Sequence, residues 1–195
     1  MPTSIPNILT YSRIAFVPVL VALYLFQGPG IWISAIFVLI SFTDWLDGYI
    51  ARRMNQTSLF GAFLDPVADK LLVVVALILL VSDNDVLVSV QSPILFIIVT
   101  TIIVGREITV SALREWMAEI GQRGVVAVNR LGKLKTLVQI AAITMLLYGP
   151  IGEPKWVSWL GEMLLYLSGF FTLLSMVTYL RVARKTFTGN SKAKQ

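Results

Sequence analysis

Residues 44 to 69 read DWLDGYIARRMNQTSLFGAFLDPVAD, and this stretch decides how the chain is interpreted. It places four carboxylates, Asp44, Asp47, Asp65 and Asp69, in an otherwise largely apolar context. The first pair is spaced i, i+3 and the second i, i+4, so each pair lies on one face of its predicted helix. Small and polar residues between the pairs allow the chain to turn back, so the two acidic faces can converge.

Four converging carboxylates near membrane depth would repel one another unless they were partly protonated or held divalent cations. The chain contains no His and no Cys, so any metal ligands at this hairpin are oxygen atoms. Oxygen ligands suit Mg²⁺ or Mn²⁺ rather than zinc, and a pair of such ions commonly clamps a phosphoryl group. We therefore expect two divalent cations, Mg²⁺ or Mn²⁺. The same absences exclude a thiolate nucleophile and a His general base.

The composition predicts an all-α integral membrane protein. Of the 195 residues, 56% are hydrophobic and 14% are charged, and the mean hydropathy is +0.79. That leaves too little polar surface for a soluble globule. With no repeat and no long linker, we predict a single domain over residues 1–195, without a cleaved signal peptide. Six stretches are long enough to be transmembrane helices, near residues 12–28, 31–50, 60–82, 93–117, 134–150 and 156–181.

The basic residues predict the orientation in the membrane. Of the 16 Lys and Arg residues, only Lys155 falls in the short connections near 28–31, 82–92 and 150–156. Cytoplasmic loops carry the excess of positive charge, so both termini and the carboxylate hairpin are predicted to be cytosolic. We expect a multi-pass protein of the bacterial inner membrane, in contact with membrane lipid. No nucleic-acid partner is expected.

Written as a pattern from Asp44, the hairpin is D-x2-D-G-x2-A-R-x8-G-x3-D-x3-D, eight fixed residues across 26 positions. It resembles the signature of the CDP-alcohol phosphatidyltransferases at every fixed position. The flanking words resemble the bacterial members that use glycerol phosphate; they are NILTYSR at 7–13, GREITVSALREWMAE at 105–119 and GKLKT at 132–136. The resemblance implies that family's fold, a homodimer, and transfer of phosphatidyl from CDP-diacylglycerol to sn-glycerol 3-phosphate.

The resemblance also implies roles for the hairpin residues. By this resemblance, Asp44, Asp47 and Asp65 are expected to be metal ligands. Asp69 is expected to be both a metal ligand and the base that takes the acceptor's proton. By the same resemblance, Arg52 is expected to contact the CDP phosphates. The remaining expected CDP-diacylglycerol-binding residues are Asn7, Ile8, Leu9, Thr10, Gly48 and Ser58. Capping or turn formation is the alternative role for Asn7, Thr10 and Ser58.

The acceptor carries its own phosphate, so fixed cations are expected beside the metal centre. We predict Arg106, Arg114 and Lys135, with ion pairing to Glu107, Glu115 or Glu119 as the structural alternative. A different acceptor, such as inositol phosphate, serine or phosphatidylglycerol, is left open by the signature. A cation transporter or channel is the alternative from another class, since it too would use intramembrane carboxylates.

Overall fold

The computed structural model describes residues 5–54, 59–119, 130–149 and 154–192. Within them, side chains are described for residues 11–43, 67, 68, 70–119, 134–149 and 154–177. These parts of the chain are helical and contain no strand, which confirms the all-α prediction. The helices are α1 Ile5–Leu25, α2 Gly30–Met54, α3 Leu59–Ser82, α4 Asn84–Ser89, α5 Pro93–Glu119, α6 Arg130–Tyr148 and α7 Lys155–Lys192.

Six long helices occupy the six predicted apolar stretches, and α4 is a short addition between α3 and α5. Among the described residues, Pro93–Glu119 and Lys155–Val177 are long and apolar enough to cross a membrane. In α1, α2, α3 and α6 the described side chains cover only part of each helix, for example Gly30–Thr43 in α2, and these apolar parts are shorter. Six transmembrane crossings therefore stay a prediction.

Helix α7 is longer than the predicted span. It contains 38 residues, which at about 1.5 Å per residue is roughly 57 Å, while a hydrocarbon core is ~30 Å thick. The helix therefore continues beyond the predicted span, through the basic segment from Arg181 as far as Lys192.

The six long helices pack as a ring in the order α1, α2, α6, α7, α5, α3 and back to α1. Helix α3 also contacts α2 and α6 across the ring. One buried apolar cluster, which includes Phe37, Leu77, Phe96 and Leu165, joins these helices. Helix α3, which carries the second half of the hairpin, thus packs against both α5 and α6, which carry the predicted acceptor-site cations.

Glycines allow two of these contacts to be close. A Cβ at Gly169 of α7 would lie 2.7 Å from Cγ1 of Val99, so α5 and α7 could not keep their spacing with a larger residue. A Cβ at Gly30 would lie 2.5 Å from the Tyr148 carbonyl oxygen, which fixes the start of α2 against the end of α6. The outward faces are apolar, with Ile94, Leu137 and Phe170 more than half exposed, as expected for surfaces that contact lipid.

Candidate active site

The two helical arms of the carboxylate hairpin lie within the described backbone, and residues 55–58 between them lie outside it. Asp44 and Asp47 lie on α2, Asp65 and Asp69 lie on α3, and the two helices contact each other. The side chains of all four lie outside the described ones, so their convergence stays a prediction. The same holds for the expected donor-site residues Asn7, Ile8, Leu9, Thr10, Gly48 and Arg52, and Ser58 lies outside the described backbone as well.

Two of the three predicted acceptor-site cations are brought together by one carboxylate. Lys135 of α6 donates a hydrogen bond from Nζ to Oε1 of Glu107 on α5. Arg106 donates to the same oxygen from Nη1, at 3.4 Å. Lys135 is 3% exposed and Arg106 is 7% exposed, so both cations are nearly removed from solvent. We refer to Arg106, Glu107 and Lys135 as the cation cluster.

The guanidinium of Arg106 is also held from α7. Its Nη2 donates to Oγ of Ser175 at 2.9 Å, and this hydroxyl donates in turn to the Thr172 carbonyl oxygen, also at 2.9 Å. Because the Ser175 hydroxyl donates its proton to the Thr172 carbonyl oxygen, its lone pairs can accept the hydrogen bond from Arg106. The cation cluster and Ser175 therefore connect three helices, α5, α6 and α7, at one level of the bundle.

Among the side chains that the structure describes at this level, positive charge exceeds negative charge. Lys70 of α3 is half-buried and close enough for its charge to act on both Glu107 and Lys135. The group of Lys70, Arg106 and Lys135 thus carries three cations around one carboxylate. Since Asp69 directly precedes Lys70 on α3, the backbone of the hairpin adjoins this positive group. An excess of cations among the described side chains, beside predicted metal ligands, is the arrangement expected for a site that binds an anion.

Arg114 is placed differently from the other two predicted cations. It is half-buried and lies eight residues beyond Arg106 on α5, roughly 12 Å along the axis. The contacts described for the cation cluster do not include it. Its predicted role in acceptor binding stays a prediction. The ion pairing that formed the structural alternative is present at Glu107, and it accounts for the burial of Lys135 without excluding a bound phosphate.

Sequence reasoning missed two buried polar residues of the bundle. Ser175 is a single serine within an apolar run, so nothing in the pattern around it indicates that it accepts from Arg106. Arg13 of α1 was interpreted only through its effect on topology, but its side chain is 2% exposed and belongs to the interior. A buried arginine near the predicted donor-site segment 7–10 could have been suspected, because an interior guanidinium requires partners.

Comparison with known proteins shows the family to which the chain belongs. The chain matches the CDP-alcohol phosphatidyltransferase family over residues 3–180. Over 188 residues it is 44% identical to the CDP-diacylglycerol--glycerol-3-phosphate 3-phosphatidyltransferase of Salmonella choleraesuis (strain SC-B67) and 42% identical to that of Escherichia coli (strain K12). Each match covers 94% of this chain and 97% of the relative. The chain belongs to the CDP-alcohol phosphatidyltransferase family.

Proposed function

We propose that this protein transfers the phosphatidyl group of CDP-diacylglycerol to sn-glycerol 3-phosphate, giving phosphatidylglycerophosphate and CMP. The relatives that it matches over nearly their whole length carry the name of this activity. The observation that carries the proposal within the structure is the cation cluster, with Lys70 beside it, next to the hairpin backbone. A phosphate-bearing acceptor needs such charges, whereas an acceptor without a phosphate, such as serine, does not need three cations.

We assign the acceptor's phosphate to Lys135 and Arg106, with Arg114 further along α5. Arginine presents a planar fork of N–H donors that matches phosphate oxygens, and a lysine ammonium acts as a compact positive charge. Both are most effective when solvent is excluded, as it is around the nearly buried Arg106 and Lys135. The acceptor would be held by its phosphate, with its hydroxyl group directed toward the hairpin.

The donor site is assigned to the hairpin. Asp44, Asp47, Asp65 and Asp69 supply oxygen ligands in a chain without His or Cys, and this donor set fits two Mg²⁺ or Mn²⁺ ions. Bound there, the ions would neutralise the donor's pyrophosphate and stabilise the departing CMP. Arg52 would contact the CDP phosphates, and residues 7–10, Gly48 and Ser58 would complete the nucleotide site.

The reaction balances with the residues of this chain. The acceptor's hydroxyl oxygen forms a bond to the lipid-linked phosphorus, and the bond from that phosphorus to the bridging oxygen breaks, so CMP leaves with the electron pair. Asp69 takes the hydroxyl proton as the new bond forms. Orientation of the acceptor by Arg106 and Lys135 makes attack effectively intramolecular, which is a large part of what a site can contribute.

We also propose that the protein lies in a bacterial inner membrane. Two helices long and apolar enough to span a bilayer, together with bacterial relatives, support a membrane protein. We propose six crossings, with both termini and the active site on the cytosolic side, as the distribution of basic residues predicts. A homodimer is the assembly that we propose from the family resemblance.

An acceptor series tests the proposed function. Purified protein is incubated with CDP-diacylglycerol and Mg²⁺ or Mn²⁺, and CMP release is measured with glycerol 3-phosphate, inositol phosphate, serine or phosphatidylglycerol. We expect release that depends on metal and is fastest with glycerol 3-phosphate. Preference for another acceptor would reassign the substrate within the family, and no release with any of them would contradict phosphatidyl transfer.

A further inference from the structure

Glu107 raises a question that the proposed acceptor site does not answer. Its carboxylate lies within the group of cations assigned to the acceptor's phosphate, and a negative charge there would repel a dianion. A group that weakens phosphate binding in this way must have an offsetting effect on the same site. The contacts of its two oxygen atoms indicate what that effect is.

Both cations of the cluster bond to the same atom, Oε1 of Glu107. Lys135 belongs to α6 and Arg106 to α5, so without this oxygen two like charges from different helices would lie near each other while almost fully buried. Such charges repel strongly where solvent is excluded. The lysine side chain is flexible, and its ammonium would turn away from Arg106. The shared oxygen keeps the two cations together.

The bond to Glu107 leaves the cations able to bind a ligand. An ammonium group has three N–H donors, and Glu107 accepts one from Lys135. The guanidinium uses Nη1 for Glu107 and Nη2 for Ser175, which fixes the plane of the fork. Glu107 on the same helix and Ser175 on α7 thus together fix the orientation of Arg106.

We propose that Glu107 is a positioning residue for the acceptor: its carboxylate holds the Lys135 ammonium and the Arg106 guanidinium as a pre-arranged pair that receives the acceptor's phosphate. This inference rests on the proposed function, because it requires that Lys135 and Arg106 bind that phosphate. It assigns to Glu107 no contact with either substrate. Its effect is on the affinity for the acceptor and not on the chemical step.

The test is the kinetic separation of acceptor from donor in Glu107→Gln, which keeps the shape of the side chain and removes its charge. We expect the KM for glycerol 3-phosphate to rise by roughly tenfold, while kcat and the KM for CDP-diacylglycerol stay within about twofold. Glu107→Asp keeps the charge on a shorter side chain and should recover part of the affinity. Glu119→Gln, which removes an exposed carboxylate from the same helix, is the matched control.

Three results would overturn the inference. A lower KM for glycerol 3-phosphate in Glu107→Gln would make the carboxylate a competitor of the phosphate. An unchanged KM with a lower melting temperature would make it a purely structural ion-pair partner. If Glu107→Gln does not fold, an acceptor KM in Glu107→Asp equal to that of the unmodified enzyme would have the same meaning.

Two further variants separate this inference from the proposed function. Lys135→Ala should raise the KM for glycerol 3-phosphate; if it does so and Glu107→Gln does not, only the role of Glu107 is wrong. If Lys135→Ala leaves that KM unchanged, the acceptor site itself is wrong and the inference falls with it. Ser175→Ala removes the second support of Arg106 and should raise the same KM by about fivefold, the equivalent of one ordinary hydrogen bond.

Discussion

Glu162 is expected to determine how firmly α5 is held against α7. This glutamate of α7 is fully buried, and its carboxylate accepts from the backbone N of Gln91 at 2.9 Å, the backbone N of Ser92 at 3.4 Å and the Tyr166 hydroxyl at 2.6 Å. Helix α5 begins at Pro93, so the two backbone groups belong to its N-terminal end, where N–H donors have no partner within the helix. A negative charge there also interacts favourably with the helix dipole.

The size of the effect follows from these contacts. Glu162→Gln keeps the side-chain volume and one acceptor oxygen but replaces the other oxygen with an amide that itself donates. A hydrogen bond to a charged group contributes about 1.5 to 3 kcal/mol, and a buried donor left without a partner costs about as much. We therefore expect a loss of about 2 kcal/mol. For a domain of this size that corresponds to a fall in Tm of roughly 4 to 8 °C.

The assay is thermal unfolding of the purified protein in detergent, followed by tryptophan fluorescence, since Trp156 and Trp159 lie on α7 itself. Glu119→Gln removes a carboxylate of α5 that is exposed, and we expect it to change Tm by less than about 2 °C. An equal and small change in both variants would refute the reasoning, because the buried cap would then contribute no more than a surface charge.

The other predictions concern the site and the topology. Lys135→Ala should raise the KM for glycerol 3-phosphate by roughly tenfold or more, with little change in the KM for CDP-diacylglycerol, and Arg52→Ala should raise the KM for CDP-diacylglycerol instead. The measurement is the initial rate of CMP release with each substrate varied in turn, and the reverse pattern would show that the two sites are wrongly assigned. Asp65→Asn should abolish turnover while Tm is retained, and Asp69→Asn should lose turnover while donor binding remains; near-normal turnover in folded Asp65→Asn would remove it from the metal site. The chain has no native cysteine, and Val88 is 86% exposed. Val88→Cys should react with an impermeant thiol reagent from outside the cell, whereas Lys192→Cys should react only after permeabilisation. The reverse labelling pattern would mean that the topology is inverted.

The features that could be predicted from sequence are those that depend on residues close together in the chain. Continuous apolar stretches determine where helices form, so the six long helices lie where they are expected. The described residues form helices and no strand, which confirms the all-α class. The signature from Asp44 to Asp69 is local in the same sense, and the family match confirms it. A charged residue such as Arg106 within an apolar helix indicates a functional position, because a membrane interior tolerates it only with partners.

The features that could not be predicted depend on which helices meet. Ser175 is separated from Arg106 by 69 positions, and Glu162 from Gln91 by 71, so no local pattern relates them. The choice of Glu107 as the partner of Lys135, over the alternatives Glu115 and Glu119, depends on how α3 packs against both α5 and α6. Helix α4 was missed because six residues are too few for a periodic signal, and its start depends on Asp83, whose side chain accepts from the Asp85 backbone N at 2.8 Å.

Transfer of label from acceptor to lipid tests the central claim most directly. Purified protein is supplied with CDP-diacylglycerol, Mg²⁺ and glycerol 3-phosphate labelled in its carbon skeleton, and both the organic-phase label and the released CMP are counted. The account predicts one labelled phosphatidylglycerophosphate for each CMP, and none with Asp65→Asn. Release of CMP without labelled lipid, or labelled lipid from folded Asp65→Asn at the unmodified rate, would contradict it.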